Sequence, residues 1–126
     1  MGLHHGLCHV LGGSANIPHG IVNAIILPHA IRFNADVTAT QLIPVAEEIG
    51  VPVNRIHPMV VMEALVQKIY HLISKMNLPQ HLRDAGVAES DLPRLAQIAF
   101  QNRTVQNNPK PIRDPAQIET LLQYAW

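Results

Sequence analysis

Along the chain, apolar residues recur at three- and four-residue spacings, and nowhere do they alternate singly over the length of a strand. Leu3, Leu7, Val10 and Leu11 follow the helical spacing, so a first helix is predicted over about residues 3–11, with Gly12-Gly13 as its stop. Pro18 suits a first helical turn. The run that follows, Ile21-Val22, Ala24 to Leu27, Ala30-Ile31 and Phe33, is apolar on nearly every side and predicts a buried second helix ending at Asn34. Pro28 lies inside that run, removes one intrahelical donor and predicts a bend or a division into two short helices.

Asp36 or Thr38 offers a cap for a third helix through about Ile49, which Gly50 and Pro52 terminate. A fourth, strongly amphipathic helix is expected after the possible cap Asn54 and the early Pro58, carrying Val60-Val61, Ala64-Leu65, Ile69, Leu72-Ile73 and Met76. Leu78-Pro79 to Gly86-Val87 reads as a short helical turn. Ser90-Asp91-Leu92-Pro93 opens a fifth helix to about Thr104. Asn107-Asn108-Pro109-Lys110-Pro111 is a loop by its turn chemistry, and Asp114-Pro115 begins a last helix with Ile118, Leu121-Leu122 and Tyr124 turned inward. The fold class is all-α, a bundle of about six helices in a single helical domain over residues 1–126.

Composition narrows the function classes. Nine basic residues balance nine acidic ones, so the chain has no electrostatic footprint for nucleic acid or an anionic membrane surface. The longest strongly apolar stretch, Ile21 to Phe33, is too short and too interrupted to cross a bilayer, and the N-terminus lacks the pattern of a signal or transit peptide. The single Cys8 excludes an intramolecular disulfide and fits a reducing compartment, which makes the cytoplasm the expected location. Only 14% of residues are charged against 48% apolar, a balance that implies some surface is covered by a partner, and a homo-oligomer is expected. The helical pattern starts at Leu3 with no Ser, Thr, Asp or Asn before it, as though a longer chain had been cut there.

The chemical signal is a cluster of histidines. Eight are present, and four of them, His4, His5, His9 and His19, fall in the first nineteen residues. On a helix His5 and His9 are one turn apart and about 40° from each other around the axis, so they share a face, whereas His4 projects about 100° away from His5. His19 follows a glycine turn, from which a helix reversal could return its ring over the first helix. Imidazoles on separate rigid elements suit iron or zinc, but such ions take at least three protein ligands, often with a carboxylate, and no Asp or Glu precedes Asp36. Spacing alone therefore leaves open whether these rings bind metal or hydrogen-bond within the fold. Cys8 reads as a buried thiol rather than a nucleophile. His29 reads as a packed or cleft-edge residue, and His57, His71 and His81 as surface or half-buried positions.

Taken as a string, Gly2-Leu3-His4-His5-Gly6-Leu7-Cys8-His9-Val10-Leu11-Gly12-Gly13 followed by Pro18-His19-Gly20 resembles the signature of the iron-containing alcohol dehydrogenases. Asn23-Ala24-Ile25-Ile26-Leu27-Pro28-His29, Phe33-Asn34, Asn108-Pro109 and the closing Tyr124-Ala125-Trp126 continue the resemblance in order across the whole chain. The wording around His5 and His9 is also similar to the maleylacetate reductase branch, while Pro18-His19-Gly20 and Asn23 are closer to ordinary alcohol dehydrogenases.

The resemblance implies the C-terminal, dehydroquinate synthase-like helical domain of a two-domain enzyme, whose N-terminal nucleotide-binding domain holds NAD(P) and is not contained in these residues. By motif position His5 and His19 correspond to two of the family's metal-ligating histidines, and His9 to the histidine beside the nicotinamide and substrate. The remaining Asp and His ligands lie upstream in the family. The implied activity is metal-assisted hydride transfer between a small alcohol or carbonyl substrate and NAD(P), with a divalent metal, iron or zinc. This chain by itself is expected to be inactive and to hold neither cofactor tightly. The alternative is a stand-alone helical oligomerisation or metal-binding module without enzymatic activity.

Overall fold

A computed structural model describes residues 2–53 and 57–126. The described residues form six α-helices: α1 (Leu3–Ser14), α2 (His19–Glu48), α3 (Pro58–Ser74), α4 (Leu92–Gln101), α5 (Arg103–Gln106) and α6 (Pro115–Ala125), with no strand. Short 3-10 turns at Arg83–Ala85 and Glu89–Asp91 lead into α4. The possible cap at Asn54 lies outside the described residues.

The all-α expectation holds, but several boundaries differ. The predicted second and third helices are one continuous 30-residue helix, α2, with Pro28 and Pro44 inside it. The residues that looked like a break have their polar groups engaged elsewhere. Asn34 pairs with Asn108, Thr38 Oγ1 donates back to the Asn34 carbonyl at 2.9 Å, and Asp36 meets Lys110 Nζ at 3.1 Å. With its cap candidates occupied, the chain simply continues helical. Conversely, the predicted fifth helix stops at Gln101, because the Asn102 side chain accepts from Thr104 N and Val105 N and starts α5.

Gly12-Gly13 does not end α1. The helix runs to Ser14, and it is Asn16 that takes the left-handed conformation, at φ 53°. Gly50, at φ +82°, does terminate α2 as expected. The opening of α6 also follows expectation: Asp114 Oδ1 accepts from Ala116 N at 2.8 Å, and Gln117 Oε1 accepts from Asp114 N at 3.2 Å, a closed capping box with Pro115 at the first helical position. Ile118, Leu121 and Leu122 turn inward. Tyr124 does not: it is 75% exposed, on the outer side of the last turn.

Two apolar clusters run along α2. The larger gathers Leu3, Leu7 and Leu11 of α1, Val22, Ile25 and Ile26 of the first half of α2, and the inward faces of α4, α5 and α6. The smaller lies between the second half of α2 and α3, and is built from Ala35, Ala39, Ala46, Val51, Val61, Met62 and Leu65. Helix α1 approaches α5 so closely that a Cβ on Gly6 would lie 2.4 Å from Val105 Cγ2 and 3.0 Å from Val105 N. Only glycine fits at that crossing. Beyond α6, Trp126 Nε1 donates to the Val87 carbonyl at 2.8 Å and ties the chain end to the loop before α4.

Candidate active-site face

Helix α1 and the start of α2 bring together the three histidines singled out in the sequence. His5 and His9, one turn apart on α1, have Nε2 atoms 2.9 Å apart and rings packed edge to face, with centroids 4.4 Å apart. The His19 ring stands 5.8 Å from that of His9, centroid to centroid. His9 and His19 are exposed and His5 is half-buried, so the trio forms an open surface patch. One of the two Nε2 atoms in the His5–His9 contact must carry a proton for the bond to exist. Partial desolvation, with His9, His19 and His4 as neighbours, lowers the pKa of His5 and favours its neutral form.

What fixes this arrangement lies behind the face. The Cys8 thiol donates to Asn23 Oδ1 at 3.4 Å, and Asn23 Nδ2 in turn donates to the His19 carbonyl at 2.8 Å. Asn23 thus links the α1 turn carrying His5 and His9 to the α2 turn carrying His19. His4 points to this inner side, with its Nε2 3.3 Å from the Asn23 carbonyl and 3.7 Å from Cys8 Sγ, in keeping with its expected divergence from His5. Burial raises the Cys8 pKa to about 11, so the sulfur stays a thiol, a packed group rather than a nucleophile.

A second tie closes the far end of the α1–α2 pair. Helix α1 has no cap of its own, and its first amide, Leu3 N, donates to Oδ1 of the buried Asn108 at 3.1 Å across 105 residues of sequence. Asn108 and Asn34 face each other as a reciprocal amide pair at 2.7 and 3.1 Å, and Asn108 Nδ2 also reaches the Lys110 carbonyl at 2.9 Å. Neither role is legible from spacing. Asn108 reads as a turn residue before proline, and only its long-range partners identify it as a cap.

The other histidines lie apart. His29 is buried and bonds through Nε2 to the Tyr70 hydroxyl at 3.0 Å, as a packed residue. His57 and His71 are exposed and His81 is half-buried. Imidazole nitrogens are the right donors for iron or zinc, so the chemistry of the trio suits such an ion in kind. The number falls short. Among the described residues, no group of three or more His, Cys, Asp or Glu side chains is arranged to hold a metal ion. No helix among them is long and apolar enough to cross a membrane.

Three imidazoles displayed at the junction of an antiparallel helix pair, held from behind by an asparagine relay, define a helical domain with an incomplete histidine centre. The whole chain, residues 1–126, matches the family described as the Fe-containing alcohol dehydrogenase family, C-terminal, and it belongs to that family. It is 40% identical over 110 residues to lactaldehyde reductase of Escherichia coli (strain K12), which covers 87% of this chain and 29% of that protein. It is 35% identical to maleylacetate reductase 1 of Cupriavidus pinatubonensis, which covers 100% of this chain and 32% of that protein. The solved structure of a 1,3-propanediol oxidoreductase superposes over all of this chain with a TM-score of 0.90 at 31% identity, covering 33% of its own length. The chain thus spans about a third of the length of these relatives, as the C-terminal part of the family's oxidoreductases.

Proposed function

We propose that residues 1–126 are the histidine-bearing helical domain of an oxidoreductase that transfers hydride between a small alcohol or carbonyl compound and NAD(P). His5 and His19 would contribute imidazole ligands to a divalent iron or zinc ion, and His9 would contact the reacting groups. The reading rests on one observation: rings from two separate helices converge on a shared face, with His5 and His9 in contact and His19 beside them. Membership of the family, with relatives named for lactaldehyde and maleylacetate reduction, gives the reaction class.

A cation held there supplies positive charge beside a substrate oxygen and so favours its deprotonated form. The residues of this chain do the positioning. The Cys8–Asn23–His19 relay sets the spacing of the two helices, and the His9 ring is exposed and free to take or return a proton at Nε2 once its contact with His5 opens. That contact would compete with an ion for the His5 Nε2 it occupies.

Two imidazoles leave most of a coordination sphere to water, and orientation of a nicotinamide needs a nucleotide site. The 126-residue chain by itself is therefore proposed to bind metal weakly and to turn over no alcohol. Calorimetric titration with Zn2+ and Co2+ tests the ligand assignment. Weak binding that falls at least tenfold in both His5→Ala and His19→Ala is expected, and affinity unchanged in either variant would refute the assignment for that residue. Steady NAD+ reduction with small alcohols by the purified chain would contradict the proposed division of labour. Self-association belongs to the same proposal: Met59, Val60, Leu72 and Met76 of and beside α3 are exposed apolar side chains, and sedimentation should show a dimer or larger species.

A further inference from the structure

A cavity opens between α2 and α6, about three turns along α2 from His19. It measures about 390 Å³ and is walled by His29, Arg32 and Phe33 of α2 and by Gln117, Thr120, Leu121 and Tyr124 of α6. That volume falls within the range of small-molecule sites, roughly 300–1,000 Å³. His29 is ten residues beyond His19 on α2, about 15 Å along the axis. Tyr124, 75% exposed, forms the rim and leaves the space open, with Phe33 and Leu121 as its apolar lining; Lys110 Nζ, 5.0 Å from the Phe33 ring centroid, is paired with Asp36.

Apart from the solvent-facing Tyr124 hydroxyl, which can donate or accept, the polar atoms around this lining are mostly committed, and those that remain are donors. Arg32 donates through Nε and Nη2 to the two Glu63 carboxylate oxygens at 3.1 and 2.7 Å and stands 6.0 Å from the centroid of the Tyr70 ring, which leaves Nη1 as the nitrogen not bonded to Glu63. Gln117 Oε1 accepts from Arg113 N and Asp114 N at 2.8 and 3.2 Å, which leaves its Nε2 amide. His29 is engaged with Tyr70, and burial, assisted by Arg32 and His81, lowers its pKa to about 4, so it brings no charge near neutral pH. Charge decides between ligand classes. The Arg32 guanidinium is already neutralised by Glu63, so an entering carboxylate would meet a second carboxylate beside its partner, whereas an uncharged oxygen would not.

We propose that the α2–α6 cavity binds an uncharged, largely apolar molecule of aromatic-ring size carrying one carbonyl-type acceptor oxygen. The ring lies between Phe33 and Leu121, and the oxygen takes the free donors of Arg32 and Gln117. This site does not depend on the oxidoreductase reading of the histidine face.

The test is an NMR titration of the isotopically labelled chain with acetophenone, ethylbenzene and benzoate. Acetophenone should produce saturable shifts at Phe33, Thr120 and Leu121, binding about three- to tenfold tighter than ethylbenzene, which lacks the acceptor. Benzoate should bind more weakly than acetophenone, and Glu63→Gln, by releasing the Arg32 charge, should improve benzoate relative to acetophenone. Thr120→Trp, at an exposed position, should fill the space and abolish the shifts. Should that variant lose its helical circular dichroism, Arg32→Leu serves instead and should erase the preference for acetophenone over ethylbenzene. Binding should survive His5→Ala and His19→Ala, which separates this site from the metal proposal. The inference is overturned if none of the three probes shifts the lining residues saturably, if benzoate wins in the unmodified chain, or if binding persists in a folded Thr120→Trp variant.

Discussion

The two halves of α2 live in different surroundings. Its first half is packed by α1 and α6 around fully buried leucines and isoleucines, whereas its second half, apart from the ties of Asn34 and Asp36 to Asn108 and Lys110, packs on α3 across a seam of Ala35, Ala39, Ala46, Val61 and Met62. Burying a leucine or isoleucine contributes roughly 1.5–3 kcal/mol, and an alanine far less, so the body around α1 is the better stabilised region. Exposure follows the same division. Val37, Val45, Met59, Val60, Leu72 and Met76, most of the large apolar side chains left in solvent, belong to the α2–α3 hairpin or its immediate flanks. The histidine face stands on the better packed body, and the hairpin presents the surface that another chain segment or copy could cover.

The largest effects should separate these regions. Leu11 and Leu65 are both fully buried, one in each cluster, but removing Leu11 leaves a hole walled by several helices that cannot collapse together. Leu11→Ala should cost about 4 kcal/mol and Leu65→Ala nearer 2 kcal/mol in urea unfolding. Equal losses would mean that the two regions are packed alike.

Asn108 tests what holds the body's open end. Asn108→Ala strands Leu3 N and Asn34 together and should cost about 2 kcal/mol, with hydrogen exchange accelerated in α1 and little changed in α3. Faster exchange in α3 instead would break the proposed separation.

His29 gives the pH dependence. Its folded pKa, about 4, lies below the ordinary 6.5, mainly through burial. Between these values the unfolded chain binds a proton that the folded chain refuses, so stability should fall as the pH drops from 6.5 towards 4. The loss should reach about 2 kcal/mol after allowance for solvent screening, and His29→Gln should flatten that segment of the curve. An unchanged slope in the variant would assign the acid sensitivity to other groups.

The smallest effect is expected where Arg32 of α2 meets Glu63 of α3. Both side chains are about half exposed, so Glu63→Gln should change stability by no more than about 0.5 kcal/mol, and thermal melts at low and high salt should differ little from those of the unmodified chain.

Helical periodicity was sufficient for the class of fold, and the four-residue spacing of His5 and His9 for their common face; for His19 the glycine turn made a return beside them possible without fixing it. What the sequence concealed were long-range uses of short polar side chains. Asn34 carries the mark of a helix end and Asp36 and Thr38 those of a helix start, yet Asn34 and Asp36 find partners in Asn108 and Lys110 more than seventy residues away, Thr38 bonds back to the Asn34 carbonyl, and α2 passes through unbroken. The six expected helices and the six observed agree in number because one expected break vanished and another, at Asn102, appeared. Asn23 stood in the motif as a letter. Its carboxamide, taking the Cys8 thiol and giving to the His19 carbonyl, becomes visible only when the two helices are side by side. Tyr124 faces solvent despite its helical spacing, because such spacing cannot tell the edge of an apolar stripe from its centre.

Helix α2, about 45 Å long, has a mechanical consequence. Each internal proline withdraws a donor, so the carbonyls of Ala24 and Thr40 lose their ordinary backbone partners, and the strut has two compliant joints with stiff rod between them. Flexure of this beam concentrates at those joints. The nearer one lies a single turn beyond the asparagine that steadies His19, so torque applied at the distant tip is absorbed before it reaches the imidazoles.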